Sequence, residues 1–224
     1  MREVVLDTET TGLSPDDGHR IIEIGCIELI NHLPSGEQFH SLFNPGREVP
    51  LAATEIHGLK TEDLSGMPSF NERAADFMAF IKDAPLVIHN AQFDVNFLNA
   101  ELGMINFPLL DMNQTVDTLI LARKKFPGSP ASLDALCKRF SIDNSAREKH
   151  SALLDAELLA QVYIELIGGR QANLSLTSAA EEEMVNAPPA KPTTRHWPPH
   201  SPTAAEREQH RVLVRKLTDP VWMA

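Results

Sequence analysis

The stretch Val4-Val5-Leu6-Asp7-Thr8-Glu9-Thr10-Thr11-Gly12 constrains this chain more than any other. An apolar run leads straight into two acids and a glycine turn, the profile of a buried strand that ends abruptly. Side chains alternate along a strand, so Asp7 and Glu9 face the same way, about 6 to 7 Å apart along the backbone. Two like charges held side by side and buried are costly unless something positive lies between them. A divalent cation meets that need, and carboxylate oxygens suit Mg2+ or Mn2+. Two solvated acids at a strand end are the plain alternative, and D-x-E alone does not separate the two.

Two later stretches bear on the choice. His89-Asn90-Ala91-Gln92-Phe93-Asp94 follows the short apolar run Leu86-Val87-Ile88, and His150-Ser151-Ala152-Leu153-Leu154-Asp155 opens the last long amphipathic segment before Gly168-Gly169. An acid pair on the first strand, an Asp after N-A-x-F and an H-x4-D, in that order and at domain-scale spacing, resemble the DEDDh family of 3'-5' exonucleases. The resemblance runs from about Arg2 to Gly169. Phe126-Pro127-Gly128, Ser132-Leu133-Asp134-Ala135-Leu136-Cys137 and Ile142-Asp143-Asn144-Ser145 are similar to the branch of that family that proofreads for a bacterial replicative DNA polymerase.

Periodicity gives the architecture independently. Ile21–Ile30 reads as a long strand, Pro34-Ser35-Gly36 as a turn, and Gln38–Phe43 as a third strand. Short helical pieces follow at Ala52–Ile56 and Glu62–Leu64. A longer helix from about Phe70 to Lys82 carries Phe70, Ala74, Phe77, Met78 and Ile81 at the 3.6 period. Leu86–Ile88 is a short buried strand. The helix that starts near Gln92 puts Asp94, Phe97, Leu98 and Glu101 on one stripe, with Asp94 in its first turn. A fifth strand at Gln114–Asp117 precedes helices through Ala122, from Ser132 to Phe140, and from Ser151 to Leu166. The expected class is α/β. The resemblance implies a ribonuclease H-like fold, a five-stranded mixed sheet flanked by helices with a flexible C-terminal tail.

Composition limits the partners. The 224 residues carry a net charge of -11 and are 42% hydrophobic, enough for a real core. Such a charge excludes a broad basic groove gripping duplex backbone, but allows a small acidic pocket taking one strand end. Cys26 and Cys137 lack metal-ligand spacing and read as reduced core residues of a cytoplasmic protein. No apolar run approaches a membrane span.

The resemblance implies the site. Asp7, Glu9, Asp94 and Asp155 would be the metal ligands of a two-ion centre using Mg2+ or Mn2+, and His150 the general base. Five helical residues turn through about 500°, so His150 belongs to the loop before the helix that carries Asp155. Thr8, Thr10, Ile56, His57, His89, Asn90 and Phe93 would contact the substrate, a single-stranded 3' end of DNA. Read from its own surroundings, His89 supports the site and Phe93 is a core residue. His57 in Glu55-Ile56-His57-Gly58 is either a wedge against the terminal nucleotides or a structural histidine, and Asp117 is a helix cap.

Beyond the domain (1–169) the character changes. Residues 188–202 hold six of the sixteen prolines, so 170–203 reads as a linker. Within it Gln171-Ala172-Asn173-Leu174-Ser175-Leu176 resembles the peptides by which bacterial proteins bind the sliding clamp, through Gln171, Leu174 and Leu176. Residues 204–224 return to helical composition, and Val212, Leu213, Leu217 and Trp222 would anchor the chain to the catalytic (alpha) subunit of the polymerase. The expected function is proofreading exonuclease. A freestanding nuclease acting on RNA or short oligonucleotides, and a non-catalytic assembly subunit, are the alternatives.

Overall fold

A computed structural model describes residues 1–145, 147, 149–168 and 201–216. Contacts divide the chain into two units, Met1–Asn173 and Leu174–Ala224. The first is built on a five-stranded sheet in the order β3-β2-β1-β4-β5. Its strands are β1 (Arg2–Thr10), β2 (Ile21–Ile30), β3 (Leu33–Leu42), β4 (Leu86–Ile88) and β5 (Thr115–Asp117). β1, β2 and β3 form an antiparallel meander, whereas β4 runs parallel to β1 and β5 parallel to β4. The chain thus leaves β1 on one side and returns on the other. The C-terminal end of β1 beside β4 is therefore a topological switch point, where α/β sheets open a crevice.

Helices cover both faces, as the alternation along β1 requires. Val4 and Leu6 pack with Phe70, Ala74, Phe77 and Ile81 of α3 (Phe70–Ile81) and with Val95, Phe97 and Leu98 of α4 (Ala91–Met104). Val5, on the other face, packs with Leu136 and Cys137 of α6 (Leu133–Phe140) and with Ala156, Leu159 and Val162 of α7 (Ala152–Ile167). Two short helices, α1 (Leu51–His57) and α2 (Thr61–Leu64), close a smaller cluster over Ile22. Among the described residues this unit also holds α5 (Thr118–Lys125).

One turn differs from expectation. The hairpin between β2 and β3 turns at Asn31-His32, both at positive φ (51° and 65°), the geometry that continues strand twist through a two-residue loop. Pro34, Ser35 and Gly36 lie inside β3, where the register slips between Ile27 and Leu29. They mark an irregularity in an exposed edge strand, which is the other place a sheet tolerates Pro and Gly.

α7 approaches the sheet closely. A Cβ added at Gly25 would lie 2.3 Å from the backbone of Ala152 and Leu153, and Gly25 pairs with Asp7. The missing side chain is thus what lets the first turn of α7 descend beside Asp7. Gly25→Ala is expected to destabilise the domain by about 1 to 3 kcal/mol, the cost of overpacking, seen as a lower melting temperature. By displacing that turn it should also slow catalysis by roughly 100-fold.

In the second unit, α8 (Ala204–Val214) is the described element. Thr203 caps it, with Glu206 reaching back to the Thr203 amide. Among the described residues no helix is long and apolar enough to cross a membrane.

Candidate active site

Four acids reach one cleft from three elements. Asp7 and Glu9 come from the C-terminal half of β1, Asp94 from the first turn of α4 and Asp155 from the first turn of α7. The cleft measures about 620 Å³, within the range of small-ligand sites. Thr8, on the opposite face of β1 from its neighbours, donates a 2.7 Å hydrogen bond to Asp94 Oδ1 and fixes that carboxylate. Arg20 clamps Glu101 of α4 through bonds of 2.7 and 2.6 Å, which pins the helix to the start of β2. That pairing explains why Glu101 is buried on the same stripe as Phe97 and Leu98.

The cluster is charged beyond what burial tolerates. Burial first, then Asp94, Glu9 and Asp155, push Asp7 well above the carboxylate range. Burial, Asp155, Glu23 and Asp94 raise Glu9 to about 8, and burial raises Asp94 to about 7 against the opposing bond from Thr8. Such shifts mark buried acids that repel one another, only partly offset by the Arg147 guanidinium. Oxygen and imidazole donors of Glu9, Asp155 and His150 lie within 4.8 Å of one another. The donor set of hard oxygens with one histidine fits a divalent cation.

The comparisons with known proteins follow that geometry. The exonuclease (RNase T) family matches residues 4–163. DNA polymerase III subunit epsilon of Rickettsia conorii is 46% identical over 222 residues, covering 97% of this chain and 96% of its own. The protein of the same name from Escherichia coli is 46% identical over 176 residues, 75% of this chain and 72% of its own. The chain belongs to the exonuclease family. The nuclease domain of 3'hExo, a DEDDh family member bound to rAMP, shares the fold with a TM-score of 0.63 at 18% identity, over 74% of this chain and 91% of its own.

In this exonuclease the remaining expected residues fall into two groups. His89, Asn90 and Phe93 line the cleft with the acids. His89 accepts or donates at Nδ1 to Thr118 Oγ1 at 2.9 Å, so the β4 end is braced by α5. Phe93 is only partly buried, its ring tilted against Phe97 at 5.1 Å between centroids. Thr10, Ile56 and His57 do not line it. Thr10 locks the turn through Gly12 O at 2.6 Å. Ile56, half exposed, accepts the His150 amide at 3.2 Å and so ties α1 to the loop before α7. His57 is buried, with its Nδ1 accepting from Leu59 N–H at 3.1 Å. Its Nε2 therefore carries the proton, and that atom is buried with no hydrogen-bond partner among the described residues.

Two functional neighbours escape sequence reading. Asp117 does cap α5, accepting from Leu119 and Ile120, but it also accepts the amides of Asn90 and Ala91. It thereby holds Asn90 at φ 66° at the head of α4, one turn from Asp94. Arg147 is the second. Its guanidinium lies on both oxygens of Asp155, at 2.5 and 2.7 Å, on Asp134 at 2.8 Å and on His150 Nδ1 at 2.9 Å. Asp117 had a visible N-cap pattern; Arg147 had only its place in a polar loop.

Val212 and Leu213 sit exposed on α8. Gln171, Leu174, Leu176, Leu217 and Trp222 lie outside the described residues.

Proposed function

We propose that this exonuclease removes mispaired nucleotides from the primer 3' end of DNA as the proofreading subunit of a replicative polymerase. The observation that carries the reading is the convergence of Asp7, Glu9, Asp94, Asp155 and His150 on one cleft. Asp7, Glu9 and Asp155 would hold one divalent ion, Mg2+ or Mn2+, and Asp7 with Asp94 a second. Bound there, such ions activate water and neutralise charge on the phosphate and leaving oxygen. His150, half exposed at the mouth, takes the proton of the attacking water. His57, buried in α1 with its Nδ1 accepting from the Leu59 amide, would brace α1 and not touch the nucleotide directly. With net charge -11 the chain grips little duplex, so frayed ends enter most readily and a partner must deliver the DNA.

The tail supplies that delivery. Val212 and Leu213 of α8, together with Leu217 and Trp222, form the anchor on the polymerase catalytic subunit, and residues 171–176 the clamp peptide. The relative in Rickettsia conorii, which matches along nearly the whole chain, bears the name of a polymerase subunit. Such a protein works in the cytoplasm. The purified chain should shorten 5'-labelled single-stranded DNA from its 3' end and act more slowly on RNA of the same sequence. Deleting residues 204–224 should leave that rate unchanged but abolish retention of the catalytic subunit, and Gln171, Leu174 and Leu176 changed together to Ala should abolish clamp binding. Equal or faster cleavage of RNA would favour the freestanding nuclease, and polymerase retention by the truncated chain would move the anchor elsewhere.

A further inference from the structure

Arg147 stands where a cation is needed. It leaves the loop between α6 and α7 with its side chain 8% exposed, and places Nε and Nη2 on the two oxygens of Asp155 while Nη1 holds Asp134. The two acids differ. Asp155 is buried beside Glu9, whereas Asp134 is more than half exposed and is also bonded by Asn144. Nη2 is shared with His150 Nδ1, so the same guanidinium that neutralises Asp155 also occupies a ring nitrogen of the histidine. A divalent ion on Asp155 would put like charges within a few ångströms of one another in a poorly screened place.

We propose that Arg147 is a positioning residue, a tethered cation that holds Asp155 and His150 Nδ1 until a divalent ion takes Asp155, so that loading the metal frees the histidine. Asp134 is the pivot. When the ion arrives, the guanidinium keeps its outer partner and gives up the inner one together with the His150 ring. The proposal rests on the reading of the acid cluster as a metal site. It adds that the site carries its own competitor. Linkage makes the competition reciprocal: whatever Arg147 contributes to the metal-free state, the metal must overcome.

The test is calorimetric titration of Mn2+ into the full chain as wild type, Arg147→Gln and Arg147→Lys, with melting curves in EDTA and in saturating Mn2+. Arg147→Gln should bind Mn2+ roughly tenfold or more tightly than wild type, a coupling of ordinary size. It should melt below wild type in EDTA, and Mn2+ should close that gap. Arg147→Lys, which keeps a cation on a flexible stem, should fall between the two in affinity. A purely structural arginine would leave Mn2+ affinity unchanged or weaken it, and either result overturns the proposal while leaving the metal reading intact. No Mn2+ binding by the wild type would overturn the metal reading and this inference with it. If Arg147→Gln proves too unstable to titrate, the wild-type to Arg147→Lys comparison decides alone, with equal affinity counting against the proposal.

Discussion

Asp7→Asn yields a protein that shows no measurable hydrolysis of single-stranded DNA, yet melts higher than the wild type in chelator at pH 8. The first half follows from the position of Asp7, which faces Glu9, Asp94 and Asp155 at once and is the acid best placed to bridge two ions. The second half follows from electrostatics. Glu9 and Asp94 are raised to about 8 and about 7, so between about pH 4 and pH 8 the folded chain retains protons that the unfolded chain has released. Stability then falls as pH rises through that window. Removing one carboxylate relieves the repulsion where it is greatest, at the alkaline end. A gain of about 1 to 2 kcal/mol, or roughly 3 to 6 °C, is the expected scale. The gain should shrink toward pH 4, where Glu9 and Asp94 hold their protons in the folded chain. Melting curves at pH 4 and pH 8 in EDTA, with a nuclease assay in Mn2+, measure all of this. An Asp7→Asn protein that melts lower than wild type at pH 8 would mean that the acids are not in mutual repulsion.

His150→Ala carries the second large effect. It should leave Mn2+ bound, because the four carboxylates remain, and lower the rate by roughly 100- to 10,000-fold, the usual worth of a general base. The loop position matters here. His150 is held by its amide to Ile56 and, at Nδ1, by Arg147 and by Asp155 Oδ2 at 3.3 Å, not by helical packing, so the ring can move with its loop. Activity near the wild-type level at neutral pH, with metal affinity intact, would remove His150 from the chemistry.

The site was more legible than the details that support it. D-x-E on a strand, N-A-x-F-D at a helix start and H-x4-D before a last helix are short-range patterns. It is the resemblance these patterns carry together that brought Asp7, Glu9, Asp94 and Asp155 to one site. Strand and helix periods put Asp7 and Glu9 on one face and Asp94 and Asp155 in first turns of helices. The sheet was legible because β2 is buried on both faces and is mostly apolar along its ten residues. The β2–β3 turn was not. Pro34-Ser35-Gly36 carries the stronger turn signal, yet Asn31-His32 turns, because both residues adopt positive φ and the bulge absorbs the Pro and Gly. Arg147 was hidden for another reason. Its partners Asp134, His150 and Asp155 are 13, 3 and 8 residues away in a segment without regular period, so only folding brings them together. Asp117 was half legible: its cap is local, but its bonds to Asn90 and Ala91 span 27 and 26 residues.

The account rests on the acid cluster being a two-ion centre, and anomalous diffraction from crystals grown with Mn2+ addresses that directly. Two peaks about 4 Å apart are expected in the cleft, both touching Asp7, with Glu9 and Asp155 on one and Asp94 on the other. A cleft without Mn2+ peaks, in crystals of protein that degrades DNA in the same solution, would contradict it.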